Sequence, residues 1–570
     1  MIGQFHSWRQ AGRAPSPFGR EPSQVHAAPA ESSNARLGRA IEASHESLLR
    51  QQDTDGAWRY PLEGSNVLPD AYFLIAQRLL NLVSPQITQR LVERVRRQQL
   101  ADGGWPLYPG PTGHPSITVE AYIALRMNGV APQDPAMQRA REFLETHGGL
   151  SELCGFTRVT LAVLGLRPWS EIPFMPIEIL LLPRSAPVSL HSFVTFTRIH
   201  MVSILALGEL RYQIAGVPPE VAQELGGQEP SPSGPAGTIL GQLGNGAEWT
   251  RRQFLPAVLH TRALQACKDY LIAHQEPDGT WGSYILSTLF SILSLQALGV
   301  APAAPILRRG LDGLRSLLWQ RDDEILAQPC NSTVWSTALV SYCLHETGLA
   351  ATDPALRSAA HWLLQVSGRA ERPRSDGTEG AQYAWGFQEG NTSCPDVDDT
   401  VAAIRAILPV VEATAPEGDA AHRCRLGKKW ALAMQNDDGG WSSFDRNCHS
   451  WWLERIPFND MHRAMTDPST ADMTGRMLEF LGVRGQRAGR GRSQVDAAVA
   501  WLRRDQCSDG SWFGRWGIAY IYGTWCALNG LAAVGIAPED LAVRRGVAWL
   551  ESRQNPDGGW GESWAQWANN

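Results

Sequence analysis

An all-α fold of two α/α barrels (toroids) built from helical hairpins is predicted by three features of this 570-residue chain. First, a phrase that runs from glutamine through a spacer containing Asp-Gly to tryptophan occurs six times, at 52–58, 99–105, 275–281, 435–441, 506–512 and 554–560. Second, each phrase follows apolar residues at helical spacing, as Val495, Ala498, Val499 and Leu502 do before Gln506, while strand-type alternation is nearly absent. Third, the 22 tryptophans outnumber the 15 phenylalanines and 11 tyrosines, and the repeated phrase is where many of them sit.

Taken in order, residues 1–35 hold Arg9, Arg13 and Arg20 with prolines and serines but no apolar core, which predicts a disordered tail and not a secretory signal. Arginines with few acids would also suit a transit peptide. Trp58 and Trp105 are 47 residues apart and Trp512 and Trp560 are 48 apart, the length of two helices with their turns. A ring of six such hairpins takes roughly 250 to 300 residues, so one barrel is expected over 36–300 and a second over 301–570. In each phrase the Asp-Gly pair supplies the positive-φ residue that stops a helix, and the indole covers the helix end while its N–H seeks a carbonyl. The helix after Gly523 again carries one apolar face, with Cys526, Leu528 and Leu531. The stretches 228–246 and 368–380 read as surface insertions, and 484–492 as a short solvated Arg/Gly loop.

Composition narrows the function. A hydrophobic share of 43% with 19% charged residues gives a chain able to bury a large core. A net charge of −6 does not supply the basic field of a nucleic-acid binder. No segment approaches the length of an apolar membrane span. Nine scattered cysteines without a CxxC pair fit a reducing compartment and exclude a zinc ribbon.

The acidic run at 395–400 holds Asp396, Asp398 and Asp399 after Pro395. It would serve as an ordinary helix start, with one aspartate at the N-cap and another at N3. It also gathers three carboxylates in four positions, whose repulsion on burial would keep one of them protonated. A strong acid held away from water is what protonation of a plain alkene needs, since any nearby nucleophile would quench the cation.

The six phrases, the run 395–400 and the segment 510–517 (Gly-Ser-Trp-Phe-Gly-Arg-Trp-Gly) together resemble the squalene-hopene cyclases and their oxidosqualene relatives, from about residue 47 onward. The resemblance implies a class II terpene cyclase that converts a linear isoprenoid, by default squalene, into a hopane-type triterpene by proton-initiated cyclisation, with no metal and no cofactor. It assigns the proton to Asp398, with Asp396, Asp399 and Asp472 in support. Four residues beyond Asp472, where hopene cyclases usually carry histidine, stands Arg476. If Arg476 contacts Asp398 it acidifies it by about 4 kcal/mol at 4 Å and effective ε near 20, roughly three pKa units. The other three carboxylates must then offset it. The alternative is an i,i+4 salt bridge between Asp472 and Arg476.

The resemblance also places Phe196, Trp335, Phe387, Phe444, Trp516, Tyr520 and Tyr522 on the wall of an aromatic cavity, where ring faces stabilise cations without attacking them. Each could equally be ordinary core. At the far end, a water-holding glutamine of hopene cyclases gives way to the run Ser283, Tyr284, Ile285, Leu286; Glu120 is kept and a second glutamate is replaced by Tyr72. Less bound water, and elimination over hydration, are expected. Phe193, Met201, Phe458 and Asn459 match a substrate-channel constriction. The expected partners are a hydrophobic isoprenoid and the surface of a membrane, on its cytoplasmic side, with a homodimer left open. Family chains continue past a phrase like that at 554–560, so the second barrel is expected to be incomplete. The competing readings are a class II cyclase for a shorter or meroterpenoid substrate, a truncated non-catalytic homologue, a glycosidase on an α/α barrel, a zinc prenyltransferase, and a diphosphate-ionising terpene synthase that would need Mg²⁺.

Overall fold

The computed structural model describes residues 33–62, 67–172, 175–186, 188–226, 256–321, 324–368, 383–391, 393–450, 453, 465–483 and 492–563. The expected N-terminal tail lies outside these residues except for 33–35, which open a helix; the two expected insertions and the Arg/Gly loop lie outside them but for Gly368 and Arg492.

Helices follow one another as α1 (Ser33–Arg50), α2 (Leu68–Leu80), α3 (Pro85–Arg97), α4 (Pro115–Met127), α5 (Pro135–Thr146), α6 (Gly155–Val163), α7 (Thr195–Glu209), α8 (Ala257–Ala273), α9 (Ile285–Ala297) and α10 (Pro305–Ser316). A two-stranded antiparallel hairpin, β1 (Leu318–Arg321) and β2 (Glu324–Ala327), comes next. Then follow α11 (Thr333–Glu346), α12 (Pro354–Gln365), α13 (Val397–Thr414), α14 (Asp419–Ala433), α15 (Ala471–Val483), α16 (Arg492–Asp505), α17 (Ala519–Ala533) and α18 (Leu541–Ser552).

Two kinds of helix alternate because two kinds of sequence do. From Ser116 to Leu125 every residue of α4 is buried, as is every residue of α9 from Ile285 to Leu295. A helix with no polar face must lie inside. By contrast α3 buries only Leu91 and Val95, and α10 only Leu307, Gly310, Gly313 and Leu314, so each covers the inner helices with one stripe. The inner helices meet side by side: α4, α2, α9 and α7 in the first barrel, α11, α13, α15 and α17 in the second. The closest approach is between α15 and α17, where a Cβ on Gly475 would sit 2.3 Å from the Cys526 carbonyl oxygen. Only glycine permits that contact, and it matters because both helices carry site residues.

The glutamine-to-tryptophan phrases act as ties between hairpins. Gln506 donates to the carbonyls of Gly510 and Ala542, both at 2.9 Å, closing its own turn and bonding the start of the next outer helix. Trp512 reaches back with its indole N–H to the Leu502 carbonyl at 2.7 Å, and its backbone N–H donates to Thr524 Oγ1 of α17. The phrases of Gln52, Gln99, Gln275 and Gln435 repeat the pattern. A further tie escaped the sequence pattern: Trp385 bonds Leu363 O and Thr400 Oγ1 in the same way, without the glutamine phrase in front of it. In the last phrase Gln554 bonds only Gly558 O among the described residues, and Trp560 is 47% exposed where the other five phrase tryptophans are fully buried.

The buried apolar side chains divide into two clusters, one from Val67 to Ala327 with Leu453 and Met465, the other from Val334 to Val543 with Ala57 and Trp58. The divide therefore falls near 330 and not at the expected 300. The first phrase also belongs to the second barrel, because Trp58 N–H bonds Thr337 Oγ1 and Gln52 bonds Ala355 O. Repeat arithmetic counts hairpins along the chain and cannot show that the first one docks on the far body. The β-hairpin closes the first barrel, with the Ala327 N–H bonded to Asp70 Oδ1 at 2.7 Å.

Candidate active site

The acidic run opens α13. Asp396 is its N-cap and accepts the Asp399 backbone N–H at 2.8 Å, so the ordinary helix-start role is real. It does not account for the rest. Asp396 and Asp399 are buried and Asp398 is largely so, and burial pushes each carboxyl above its usual range: Asp396 to about 7, Asp398 to about 6 and Asp399 well above it. Asp399 is pushed further by the charge of Asp396, with which it shares a hydrogen bond. Asp398 stands apart, with no hydrogen-bond partner for Oδ1 among the described residues.

Arg476 lies on α15 with Nε 3.4 Å from Asp398 Oδ1, so the expected contact is made. At effective ε near 20 that attraction is of order 5 kcal/mol, enough by itself to ionise the acid. Asp398 nevertheless sits above its ordinary value, because burial is the largest influence on it and the charges of Asp472 and Glu479 add to it. Arg476 is itself held by aromatic faces: its guanidinium carbon is 4.9 Å from the Trp335 ring centroid and 5.6 Å from those of Tyr522 and Trp525, and it donates to the Tyr522 hydroxyl at 2.7 Å.

Asp472 does not pair with Arg476. Its Oδ1 accepts from Thr470 Oγ1 and the Met473 N–H, and its Oδ2 from the N–H groups of Arg515 and Trp516 at 2.9 and 3.0 Å. Asp472 is thus a buried clamp that fixes the loop before α17 and presents Trp516, whose indole N–H is bonded to Ser443 Oγ at 2.6 Å.

Between the barrels lies a cavity of about 1290 Å³. Its wall includes Asp396, Asp398, Asp399, Arg476, Phe196, Trp335, Phe387, Phe444, Trp516, Tyr522 and Tyr284, all expected at the site. Phe196, Phe444 and Trp516 meet edge to face with centroids 5.3 to 6.4 Å apart. Others are elsewhere. Tyr520 packs on Phe513 and Trp549, away from the cavity, because it is two residues from Tyr522 and so on nearly the opposite side of α17. Phe193 and Met201 are buried in the first core and do not line the cavity. Phe458 and Asn459 lie outside the described residues. Glu120 is fully buried behind the wall, accepting from the Tyr72 hydroxyl at 2.9 Å. Ile285 and Leu286 are core residues of α9, so of that run only Ser283 and Tyr284 come near the far end, and only Tyr284 is on the wall.

Among the wall residues that were missed are Trp525, one turn beyond Tyr522, and His200, one turn beyond Phe196. The helical repeat from a residue already placed on the wall would have found both. One stretch of wall is polar, with Glu276, Asn391 and Ser393, and continues to Gln275 and the exposed Arg309.

Comparison with known proteins adds to this geometry. Residues 41–323 match the family described as squalene-hopene cyclase N-terminal domain, and residues 331–570 the squalene-hopene cyclase C-terminal domain. The chain is 32% identical over 509 residues to the sporulenol synthase of Bacillus subtilis, covering 86% of this chain and 77% of that protein. It is 33% identical over 521 residues to the squalene-hopene cyclase of Schizosaccharomyces japonicus, covering 88% and 78%. With the squalene-hopene cyclase of Bradyrhizobium diazoefficiens it shares 33% over 527 residues, covering 89% and 78%.

Proposed function

The chain belongs to the squalene-hopene cyclase family and is a class II terpene cyclase, and on that premise we propose that its substrate is squalene and its product a hopane-type pentacycle. One observation carries the reading: a protonatable carboxyl without a hydrogen-bond partner on Oδ1, Asp398, faces a large cavity with aromatic walls. At about 1290 Å³ the cavity exceeds the about 300–1,000 Å³ of pockets for drug-sized ligands, which suits a long hydrocarbon chain.

The proton moves from Asp398 to a terminal double bond. Arg476 attracts the carboxylate left behind more strongly than the neutral acid, so its help grows along the reaction coordinate. The cation passes along the ring faces of Phe196, Phe444 and Trp516, each worth about 2 kcal/mol or more when desolvated. Asp472 acts as a positioning residue through Trp516.

Near-equal relatives named for sporulenol and for hopene leave the product to the cavity. The polar wall at Glu276, Asn391 and Ser393 favours a second reading, a shorter or meroterpenoid substrate whose polar head rests there. Incubating detergent-solubilised protein with squalene and with shorter polyprenyl compounds, followed by mass spectrometry, separates the two. A hopane-type product from squalene supports the first, and turnover only of a polar-headed chain the second.

The enzyme is further proposed to sit on the cytoplasmic side of a membrane without crossing it. Among the described residues no helix is long and apolar enough to cross. Leu182, Leu210, Val258 and Leu259 are exposed where α8 packs on α7 and on the turn Ile177–Leu181, grouped around His260, which lies 3.2 Å from Glu178 and 3.8 Å from Glu209. Exposed apolar side chains gathered in one place suit a lipid contact, and nine free thiols suit a reducing compartment. Sedimentation with liposomes, lost on Val258→Ser with Leu259→Ser, tests the contact.

A further inference from the structure

His200 stands on α7 one turn after Phe196 and on the same side, lining the cavity. Its Nδ1 is 3.2 Å from the Phe196 carbonyl oxygen. A carbonyl can only accept, so Nδ1 carries the hydrogen and Nε2 keeps its lone pair. Among the described residues Nε2 has no hydrogen-bond partner. The ring neighbours are Phe156 and Tyr284, both with centroids 5.6 Å away and both on the cavity wall. The imidazole is therefore a neutral base in an aromatic enclosure, on an inner helix of the first barrel, whereas Asp398 belongs to the second.

Given the proton-initiated reading above, on which this rests, we infer that His200 is the base that ends the reaction. Nε2 takes a proton from the carbon next to the last cation, the C–H electron pair becomes the new double bond, and an imidazolium is left. When the product leaves, the imidazolium gives its proton to water and the Asp398 carboxylate takes one up. The product is then an isomer of the substrate and both groups are restored. Burial lowers the imidazolium to about 4, so His200 remains neutral in the range where Asp398, at about 6, keeps its proton. Acid and base thus coexist in their working forms.

The test compares squalene consumption and product ratios for the wild-type enzyme, His200→Gln and His200→Phe. Glutamine can keep the bond to the Phe196 carbonyl and phenylalanine keeps the ring, but neither is a base. Both variants should still consume substrate, since initiation is untouched, while the principal wild-type alkene falls by roughly tenfold or more in share and other alkenes or alcohols replace it. An unchanged product ratio in either active variant would overturn the assignment. Selective ¹⁵N labelling of histidine, with His200 identified by its absence in His200→Gln, gives a readout without turnover. A neutral ring with hydrogen on Nδ1 at pH 5 is expected, and hydrogen on Nε2 would contradict the proposal. Absence of any cyclic product from the wild-type enzyme would bring down the squalene reading itself, a result distinct from unchanged products in the variants.

Discussion

The two sides of the cavity handle charge in opposite ways. On the second barrel, α13 opens with three aspartates and α15 brings Arg476 within 3.4 Å of one of them. On the first, α7 contributes His200 and the residue before α9 is Tyr284, both among rings, and Glu120 is withdrawn behind the wall and bonded to Tyr72. A proton has to be held loosely where the reaction starts, and no permanent charge can stand where the cation ends. Balanced charges achieve the first and neutral side chains the second.

The sharpest way to break this contrast is at Asp398. Asp398→Asn keeps the shape and removes the transferable proton, so turnover should fall by about 10³-fold or more while the far-UV circular dichroism spectrum stays that of a helical protein. Retained turnover would move the acid elsewhere.

Arg476→Gln comes next. It can still bond Tyr522 but no longer stabilises the Asp398 carboxylate, and turnover should fall by about 10²-fold. The pH profile should shift the other way. Because the working form of Asp398 is protonated, activity declines as pH rises through its pKa, about 6 in the wild type. Removing the positive charge raises that pKa, so the decline should move to higher pH.

Stability offers a smaller effect. Asp396 and Asp399 have folded pKa values raised above the unfolded carboxylate value, so the folded state binds more protons and stability is lost as pH rises through the raised pKa of Asp396, about 7. The melting temperature should fall between pH 5 and pH 8, and Asp396→Asn, which keeps an N-cap side chain, should flatten that fall. The smallest effects belong to the ties. Gln506→Ala strips two carbonyls of their donor and should cost about 1–3 kcal/mol, whereas Gln554→Ala, at the exposed last phrase, should cost less than about 0.5 kcal/mol. Both follow from thermal melts.

Legibility in the sequence followed the range of the interactions. The helix stops, the ties and the N-cap at Asp396 are local, and a periodic pattern shows them. Arg476 beside Asp398 was readable only because family resemblance placed two distant segments together. What failed was orientation: Tyr520 lies in the right segment but on the wrong side of its helix, while His200 and Trp525 are on the right side and were passed over. Docking of α1 on the second barrel through His45 to Thr347 and Trp58 to Thr337 spans about half the chain, and no local pattern encodes it. Trp385 keeps the geometry of a tie without its glutamine phrase, so a search for the phrase could not see it.

The central claim is that a proton from the enzyme starts the reaction, and turnover of the wild-type protein in D₂O tests it most directly. Asp398 exchanges with solvent between cycles, so each cyclic product should carry a single deuterium at the carbon that was protonated first and should be one mass unit heavier than the substrate. Cyclic product formed at full rate in D₂O without deuterium would contradict the account.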